Sequence, residues 1–450
     1  MTPSIEVYQD EILSYDSMLK GCTKSSGVKA TGPEFSANLI GEALATHISN
    51  IDHEVCEAGE EDSFFVVDLG EVYRSYMKWK ETLPNVHAHY AVKCNTDLSV
   101  IKLLGQLGAN FDCASKNEID IVLGLGFSPD RIVYANPCKT NSYIRYANDS
   151  NVNLTTVDNP QELYKLHKYH PECGILLRIA TDDETAQCRL STKFGCSVDT
   201  AVNELLPLAA KLGLNVRGVA FHVGSGAKDF DSIHEAVRDS RFIFDKGIDE
   251  YGYGKTMNIL DIGGGFEMET FDKSSAMVKL SLEKYFSSDY CSSQNIKFIA
   301  EPGRLMVSKA FTLAAHIIAR RDLPRSLKES NDIEAMLYIN DGVYGNMNCI
   351  LFDHQNPVPH VLTHKNSLYY NEQVSDRTTK HQFSIWGPTC DGLDCVSNRS
   401  ALYHNVEVGD WLYFPDLGAY TSAATTSFNG FKNKAQVIRV ASEDFSELEL

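Results

Sequence analysis

A thiol and a carboxylate stand side by side in the stretch WGPTCDGLD, residues 386–394, as Cys390 and Asp391. The glycines and the proline there favour a turn over a helix or a strand. A thiol in such a turn could form half of a disulfide, ligate a metal or donate a proton. The 12 cysteines show no paired CxxC spacing, which disfavours a zinc site. The segment MTPSIEVYQDEILSYD lacks the basic and apolar regions of a signal peptide, so we expect a cytoplasmic chain with reduced thiols.

A second set of reactive side chains lies at the ends of short apolar runs that read as strands. The runs are VHAHYAVK (86–93), NFDCAS (110–115), RIVYANP (131–137), NLTTVD (153–158), GILLRIA (174–180), VRGVAFHVG (216–224), NILDIGGG (258–265) and KFIAEPGR (297–304). The side chains at their ends are Lys93, Asp112, Arg178, His222, Ser225, Gly263, Gly264, Gly265, Glu301, Gly303 and Arg304.

These eight runs alternate with stretches in which apolar residues recur at helical spacing. Eight strands alternating with helices over roughly 220 residues favour a (β/α)8 TIM-like barrel over an open doubly wound sheet. After residue 307 the pattern changes to strands with little helix, and this predicts a C-terminal all-β domain, either a β-barrel or a sandwich. The predicted strands there are AMLYIND, HQFSIWGP, VGDWLYF and KAQVIRV. The earlier segment EFSANLIGEALATHIS is compatible with either a strand or a helix.

A barrel collects reactive groups at the C-terminal ends of its strands. The three glycines of DIGGGF could bind phosphate through backbone N–H groups or could simply form a tight turn. Their place after the seventh strand favours phosphate, and Arg304 after the eighth strand could supply a guanidinium. A lysine at the same mouth, Lys93, suggests a Schiff base with pyridoxal phosphate (PLP).

Two further residues have an alternative to a role beside the cofactor. Glu301 could keep the pyridine nitrogen of PLP protonated, or it could pair with Arg304 as a structural salt bridge. His222 could stack on a planar ring, or it could be an ordinary hydrogen-bonded histidine of a strand.

The bulk composition argues against two classes of partner. The formal net charge of −19 is opposite to that of a nucleic-acid-binding protein. No apolar run approaches the roughly 20 residues of a membrane helix. His360 and His364 in HVLTH lack the glutamate of a zinc motif, so we expect no metal.

Twelve ordered stretches of the chain resemble the eukaryotic-type ornithine decarboxylases, PLP-dependent enzymes of fold type III (the alanine-racemase-like fold). The stretches extend from about residue 64 to about residue 435 and are YAVKCN, FDCASKNEI, YANPCK, LRIATDD, FHVGSG, LDIGGGF, AEPGR, NDGVYG, NCILFDH, WGPTCDGLD, GDW and GAYT. The family fold, a barrel with an all-β domain, agrees with the strand pattern.

The resemblance implies a role for each matching residue. Lys93 would be the Schiff-base lysine, Glu301 the partner of the pyridine nitrogen and His222 the ring-stacking histidine. The implied phosphate ligands are Ser225, Gly263, Gly264, Gly265, Arg304 and Tyr420. The residues implied elsewhere around the cofactor are Asp112, Arg178 and Gly303.

The resemblance also interprets the opening stretch. Cys390 would be the thiol that returns a proton to the substrate Cα, and Asp391 and Asp353 would hold the distal amine of the substrate. Phe352 stands where many relatives have tyrosine, which leaves dual ornithine and lysine activity open. The implied reaction is decarboxylation of L-ornithine to putrescine, in a homodimer whose subunits share active sites, with antizyme as a possible further partner.

Two other functions occur among proteins of this family and fold, and the residues argue against both. Antizyme inhibitors have lost cofactor-binding residues, whereas this chain keeps Asp112, Arg178, His222, Glu301 and Asp391. PLP racemases need a second base, commonly a tyrosine, and the pairing of Cys390 with Asp391 disfavours that function. The expected domains are an N-terminal extension (1–32), a segment packing with the β domain (33–62), the PLP-binding barrel (63–306) and the β domain (307–450).

Overall fold

The computed structural model describes residues 31–182, 184, 186–227, 229–324, 332–372, 380–431, 434–445 and 448. The predicted N-terminal extension, residues 1–32, lies outside this range apart from its last two residues. The described chain forms two compact units. One comprises Ser75–Met306, and the other comprises the residues up to Arg74 together with those from Val307 onwards.

The segment EFSANLIGEALATHIS, which is compatible in sequence with a strand or a helix, is helical. It forms helix α1 (Pro33–Ser49), with Pro33 in the first turn, where its missing N–H costs no hydrogen bond. Strand β1 (Phe64–Asp68) and helix α2 (Leu69–Thr82) follow.

A closed barrel of eight parallel strands confirms the predicted fold of the next region. Its strands are β2 (Val86–Ala91), β3 (Asn110–Cys113), β4 (Ile132–Tyr134), β5 (Leu154–Val157), β6 (Gly174–Arg178), β7 (Asn215–Ala220), β8 (Ile259–Asp261) and β9 (Lys297–Ala300). Strand β2 closes the ring by pairing with β9, with Val86 opposite Phe298. Each strand lies within or overlaps one of the eight apolar runs.

The helices of this unit range from single turns to the 21 residues of the longest, and several of them begin at polar caps. They are α3 (Leu98–Gln106), α4 (Lys116–Gly124), α5 (Asn141–Asp149), α6 (Pro160–Tyr169), α7 (Val198–Thr200), α8 (Leu206–Lys211), α9 (Asp231–Tyr251), α10 (Phe271–Tyr285), α11 (Ser288–Gln294) and α12 (Arg304–Val307). A π-helix, Ala201–Leu205, joins α7 to α8. The side chains of Asp97, Ser115, Thr140 and Asn159 accept backbone hydrogen bonds at the starts of α3 to α6, as N-caps do.

The second unit is built on an eight-stranded sheet in which β1 pairs with two of the later strands. Its remaining elements are β10 (Phe311–Asp322), β11 (Ala335–Ile339), α13 (Cys349–Phe352), β12 (His360–Val361), β13 (Thr363–His364), β14 (Ser367–Leu368), β15 (His381–Trp386), β16 (Cys395–Leu402), β17 (Trp411–Phe414) and β18 (Gln436–Val440). The central path of the sheet is β12-β17-β10-β11-β15-β16, and β13 and β14 form a separate hairpin.

Strand β1 belongs to this second unit and not to the barrel. It pairs antiparallel with β10 and parallel with β18, so the barrel unit begins at Ser75 where we expected residue 63. Helix α1 packs Ile40 and Leu44 into the same core as Phe64 and Trp411. The sequence of β1, FFVVD, would suit either a barrel strand or a central strand of the sheet. Its hydrogen-bonded pairing with β10 and β18, which lie far along the chain, places it in the sheet.

Sequence reading missed the longest strand, β10. Its first seven residues, FTLAAHI, are all buried, so they lack the alternation of apolar and polar residues that marks a half-exposed strand. Within the described residues, no helix has the length and apolarity that a membrane crossing requires.

Candidate active site

Lys93 lies at the C-terminal end of β2, in a short 3-10 turn, Val92–Cys94. Its Nζ donates a hydrogen bond to Oδ2 of Asp112, at the end of β3. The lysine side chain is 36% exposed while Asp112 is fully buried, so the amine is held between the protein interior and solvent. Neighbouring parallel strands bring the two residues together, because Ala91 stands opposite Asp112 in the register.

Three buried carboxyl groups lie at this end of the barrel, which we call the barrel mouth. Burial, and then the charge of Glu301, raise the pKa of Asp112 to about 7. Burial, and then the neighbouring Asp261, raise the pKa of Glu301 to about 8. Burial raises the pKa of Asp261 to about 7, and its interactions with Gly263 N and Glu301 oppose part of that rise. The cluster therefore holds at least one proton near neutral pH.

Sequence reading missed Asp261, although it lies inside the LDIGGGF motif. The signal was present, since a carboxylate in an otherwise buried apolar strand requires a partner. Its Oδ1 accepts a hydrogen bond from Gly263 N at 2.9 Å, and this bond fixes the start of the glycine turn.

Two cations partly offset the rise in pKa that burial causes in these carboxyl groups. Lys93 and Arg178 both lower the pKa of Asp112 and of Glu301 by favouring their ionised forms. Arg178, at the end of β6, places its guanidinium 5.4 Å from the centre of the Phe194 ring.

His222 is held neutral and in one tautomer. Its Nδ1 accepts a hydrogen bond of 3.0 Å from Gly224 N, so the proton of the neutral ring is on Nε2. Burial, and then the charges of Arg178 and Lys93, lower the pKa of His222 well below the usual value for histidine. A neutral planar ring of fixed orientation suits stacking against another ring.

The three glycines after β8 are packed against neighbouring backbone. A Cβ on Gly263 would lie 2.1 Å from Phe221 O, and one on Gly265 would lie 2.3 Å from Gly224 O; both residues have positive φ, 66° and 95°. A Cβ on Gly264 would lie 2.7 Å from Glu301 O and 2.8 Å from His222 Nε2. The glycines are thus required for the turn and also leave backbone close to the predicted cofactor residues.

The remaining barrel residues from the sequence analysis also lie at strand ends. Arg304 Nε is 3.2 Å from Glu267 Oε1, on the segment that follows the glycines. Ser225 exchanges backbone hydrogen bonds with Cys188, N–H to O in both directions, at 3.1 and 3.3 Å. A Cβ on Gly303 would lie 2.9 Å from the Cβ of Cys94, next to Lys93.

In the second unit, Cys390 and Asp391 occupy a turn between β15 and β16. Cys390 is exposed, and its N–H donates to Asn429 Oδ1 at 2.9 Å. Tyr344 donates its hydroxyl proton to Asp391 Oδ2, and this hydrogen bond lowers the pKa of Asp391. Every cysteine in the described part of the chain is free, so Cys390 forms no disulfide with any of the other described cysteines.

A different carboxylate, Asp394, fixes the turn. It is 1% exposed, and its Oδ1 accepts from Val343 N at 2.9 Å. Its Oδ2 accepts from Thr389 N at 3.0 Å and from Thr389 Oγ1 at 2.6 Å. The two acids of the stretch therefore have separate environments: Asp394 is a buried brace, and Asp391 is available at the surface.

The other predicted residues of this unit lie on helix α13 and on the last loops. Phe352 ends α13 and is 65% exposed, whereas the next residue, Asp353, is 7% exposed. Tyr420 has a positive φ of 54°, a conformation unusual for a tyrosine.

Comparisons with known proteins match the barrel region to one family model and most of the chain to named relatives. The family model described as the pyridoxal binding domain of pyridoxal-dependent decarboxylases matches residues 69–308. An ornithine decarboxylase from Candida albicans is 58% identical over 413 residues, which cover 88% of this chain and 87% of the relative. One from Saccharomyces cerevisiae is 53% identical over 415 residues, covering 90% and 86%. Antizyme inhibitor 2 from Xenopus laevis is 42% identical over 410 residues, covering 89% and 86%.

Solved structures of decarboxylases also match most of this chain, at lower sequence identity. The arginine decarboxylase of Paramecium bursaria Chlorella virus has a TM-score of 0.78 and 32% identity, covering 90% of this chain and all of that chain. A lysine/ornithine decarboxylase from Vibrio vulnificus, complexed with putrescine, has a TM-score of 0.74 and 25% identity, covering 90% and 98%.

Proposed function

The chain belongs to the pyridoxal-dependent decarboxylase family, and on that premise we propose that it releases CO2 from L-ornithine to form putrescine, the opening step of polyamine biosynthesis. The observation that carries the proposal is the contact between Lys93 and the buried Asp112 beside Glu301. The choice of ornithine is supported by the relatives named ornithine decarboxylase at 58% and 53% identity.

The cofactor of the family, PLP, fits the residues at the barrel mouth. The glycine turn there brings backbone close to His222 and Glu301 at positions where a Cβ would clash, and the buried Asp112 Oδ1 has no hydrogen-bond partner among the described residues. Lys93 would hold the cofactor covalently and Glu301 would bind its ring nitrogen. Ser225, the three glycines, Arg304 and Tyr420 are assigned to its phosphate, and Asp112, Arg178 and Gly303 to its surroundings. When bound, PLP accepts the electron pair that CO2 leaves on Cα.

The chain's own residues prepare this chemistry. Asp112 orients the Lys93 amine through a hydrogen bond. Burial and the neighbouring Asp261 raise the pKa of Glu301 to about 8, so a cation placed next to Glu301 would favour the ionised form of that carboxyl. His222 presents a neutral ring because Gly224 N occupies its Nδ1.

We assign the proton that must return to Cα to the thiol of Cys390. A thiol has a pKa close enough to neutrality to give a proton and regain it. Asp391 and Asp353 would bind the distal ammonium of ornithine through charge-assisted hydrogen bonds. The lowered pKa of Asp391 supports this role, because it favours the ionised carboxylate that such a contact needs.

We further propose a homodimer in which Cys390 and Asp391 of one copy serve the site of the other. Two exposed apolar side chains at this turn support an interface: Leu393 is 65% exposed, and Phe428 is 42% exposed and stacks at 4.4 Å on Tyr344, which hydrogen-bonds to Asp391. Exposed apolar groups at this density are typical of an association surface. The free cysteines support a reducing compartment such as the cytoplasm, and the similarity to an antizyme inhibitor supports antizyme as a partner.

Release of CO2 from ornithine, lysine and arginine by the purified protein with added PLP tests the function. We expect the highest kcat/KM with ornithine and a smaller value with lysine. Absence of turnover on all three would instead favour a non-catalytic regulator related to the antizyme inhibitors. A preference for lysine or arginine would overturn the substrate but keep the reaction.

A further inference from the structure

Three potential metal ligands from distant parts of the sequence meet in the second unit: His53, Glu61 and His316. Each offers one ligand atom, and these atoms all lie within 4.8 Å of one another. Two histidines with one glutamate form a ligand set that zinc accepts, with water as a fourth ligand. None of the three belongs to the residues assigned to decarboxylation.

These atoms make one hydrogen bond, between His53 and Glu61, and one longer approach, between His316 and Glu61, that a shared cation would bridge. His53 Nδ1 lies 2.8 Å from Glu61 Oε2, and His316 Nδ1 lies 3.8 Å from the same oxygen. Two donors on one tetrahedral zinc lie about 3.4 Å apart, which follows from zinc–ligand bonds of about 2.1 Å. The first distance is shorter than this and the second is longer, so a shift of about half an ångström by Glu61 would bring both to the zinc spacing.

His316 supplies an independent sign of a missing ligand. It is 6% exposed, and neither of its ring nitrogens makes a hydrogen bond of good geometry among the described residues, although the backbone of Gly409 lies near the ring. Buried polar groups without partners are rare, and each one calls for an explanation such as an ion. Its Nδ1 is close to Glu61, which is the side from which a cation would bind.

The surrounding residues hold two of the ligands in place. One amide, Asn340, donates from Nδ2 to Glu61 O at 2.7 Å and accepts at Oδ1 from His316 N at 2.8 Å. The His316 ring contacts the rings of His53 and Trp411, with centroids 4.9 Å apart in each case. Ligand orientation fixed by neighbouring groups is a regular feature of metal sites.

The local charge would also attract a cation. The segment IDHEVCEAGEEDS, residues 51–63, contains Asp52, Glu54, Glu57, Glu60, Glu61 and Asp62, and has no lysine or arginine. Clustered carboxylates of this kind raise the local concentration of cations.

From this geometry we infer that His53, Glu61 and His316 form a zinc site that fastens the segment before β1 to strand β10. The site is a structural clamp and is independent of the proposed decarboxylation. Sequence reading could not find it, because His316 is separated from the other two ligands by more than half of the chain and the set has no recognisable motif spacing.

Competition between the full-length, PLP-loaded protein and a chromophoric zinc chelator tests the site. We expect wild-type protein to bind one more equivalent of Zn²⁺ than His53→Gln, and both His53→Gln and Glu61→Gln to weaken that binding by at least about 100-fold. Measuring the difference between proteins with identical cysteines removes the contribution of thiols. Both substituted residues are partly exposed, so the variants should fold and keep wild-type decarboxylase activity.

His381→Gln is the matched control, because His381 Nδ1 pairs with Glu334 Oε2 at 2.9 Å in the same unit, outside the one described group of potential metal ligands. This variant should bind zinc as the wild type does. Wild-type protein that binds no more zinc than His53→Gln would overturn the proposal, and so would an equal loss in His381→Gln. Replacing zinc by Co²⁺ gives a second readout: the visible bands of a four-coordinate site should be present in wild type and lost in Glu61→Gln.

Discussion

At the scale of single residues, the properties of the candidate site depend on the protonation states of its buried carboxyl groups. Asp112, Asp261 and Glu301 are buried together, and Lys93 and Arg178 offset only part of their repulsion. The protonation of this cluster therefore depends on solution pH and on any cation that binds beside it. Such clusters of perturbed carboxyls are typical of functional sites.

Replacing Asp261 by Asn should reduce the pH dependence of stability. The raised pKa values mean that these carboxyls bind more protons in the folded protein than in the unfolded chain, between about pH 4 and about pH 8. The free energy of unfolding therefore falls as the pH rises through this window. Asp261→Asn removes one titrating group and also a cause of the raised pKa of Glu301.

Urea unfolding of the cofactor-free protein at about pH 5 and about pH 8 measures this effect. We expect a smaller difference between the two pH values for Asp261→Asn than for wild type. The exposed Asp249→Asn serves as the control and should leave the difference unchanged. Equal pH dependence in wild type and Asp261→Asn would show that Asp261 is not coupled to the cluster.

Replacing Cys390 by Ala should separate cofactor binding from turnover. The PLP absorbance should persist, because Cys390 lies on a turn of the second unit and not among the barrel residues assigned to the cofactor. The rate of putrescine formation should fall by about 10²- to 10⁴-fold, the usual contribution of a positioned proton donor. Cys138→Ala, which removes another exposed thiol, should retain wild-type turnover. Wild-type product and rate in Cys390→Ala would exclude the thiol as the donor.

At the scale of elements, the glycine turn after β8 connects three strand ends. Gly264 packs against both Glu301 O and His222 Nε2, so its lack of a side chain sets the spacing between β7, β8 and β9 at the barrel mouth. Even a methyl group there must displace a backbone carbonyl or the imidazole ring.

We expect Gly264→Ala to lower both stability and PLP affinity. Overpacking a tight contact costs about 1–3 kcal/mol, and the displaced His222 would no longer keep its ring in place. Equilibrium unfolding and a titration with PLP measure the two effects. Gly124→Ala, at the end of α4 where a Cβ would meet nothing within 4 Å, provides the control and should be close to neutral. Tight PLP binding by Gly264→Ala would argue against a role for this turn in the cofactor site.

The sequence predicted the barrel better than the sheet of the second unit, for a physical reason. Barrel strands are short, buried on both faces and separated by amphipathic helices, so each run has clear ends. Strand β10 and strand β1 lack such ends, and pairing between residues far apart in sequence determines their place. The cluster of His53 with His316 was missed for the same reason, since these residues are adjacent only after folding, whereas Asp261 carried a local signal as a carboxylate in a buried apolar strand.

At the scale of the whole molecule, the proposed dimer makes each active site depend on two chains. Lys93→Ala and Cys390→Ala should each be nearly inactive as purified proteins. Mixed and allowed to exchange subunits, they should recover up to about one quarter of wild-type activity. Half of the dimers are then mixed, and each of these has one intact site of two, as two-fold symmetry requires.

The same mixture made with Lys93→Ala and Glu301→Gln provides the control. Each of these changes alters the barrel of the chain that carries it, so every dimer in the mixture lacks an unaltered barrel. No intact site can form, and activity should stay low. Recovery in the control, or no recovery in the first mixture after verified subunit exchange, would contradict shared sites.

The buried brace under the turn has a consequence for how substrate preference can change during evolution. Asp394 binds the base of the turn with both carboxylate oxygens, while Gly392 and Leu393 are exposed at its edge beside the half-buried Asp391. Substitutions at the edge leave the brace intact, so they can accumulate with little loss of fold stability. Natural or laboratory selection could therefore explore new amine lengths at this edge, provided that Asp394 stays in place.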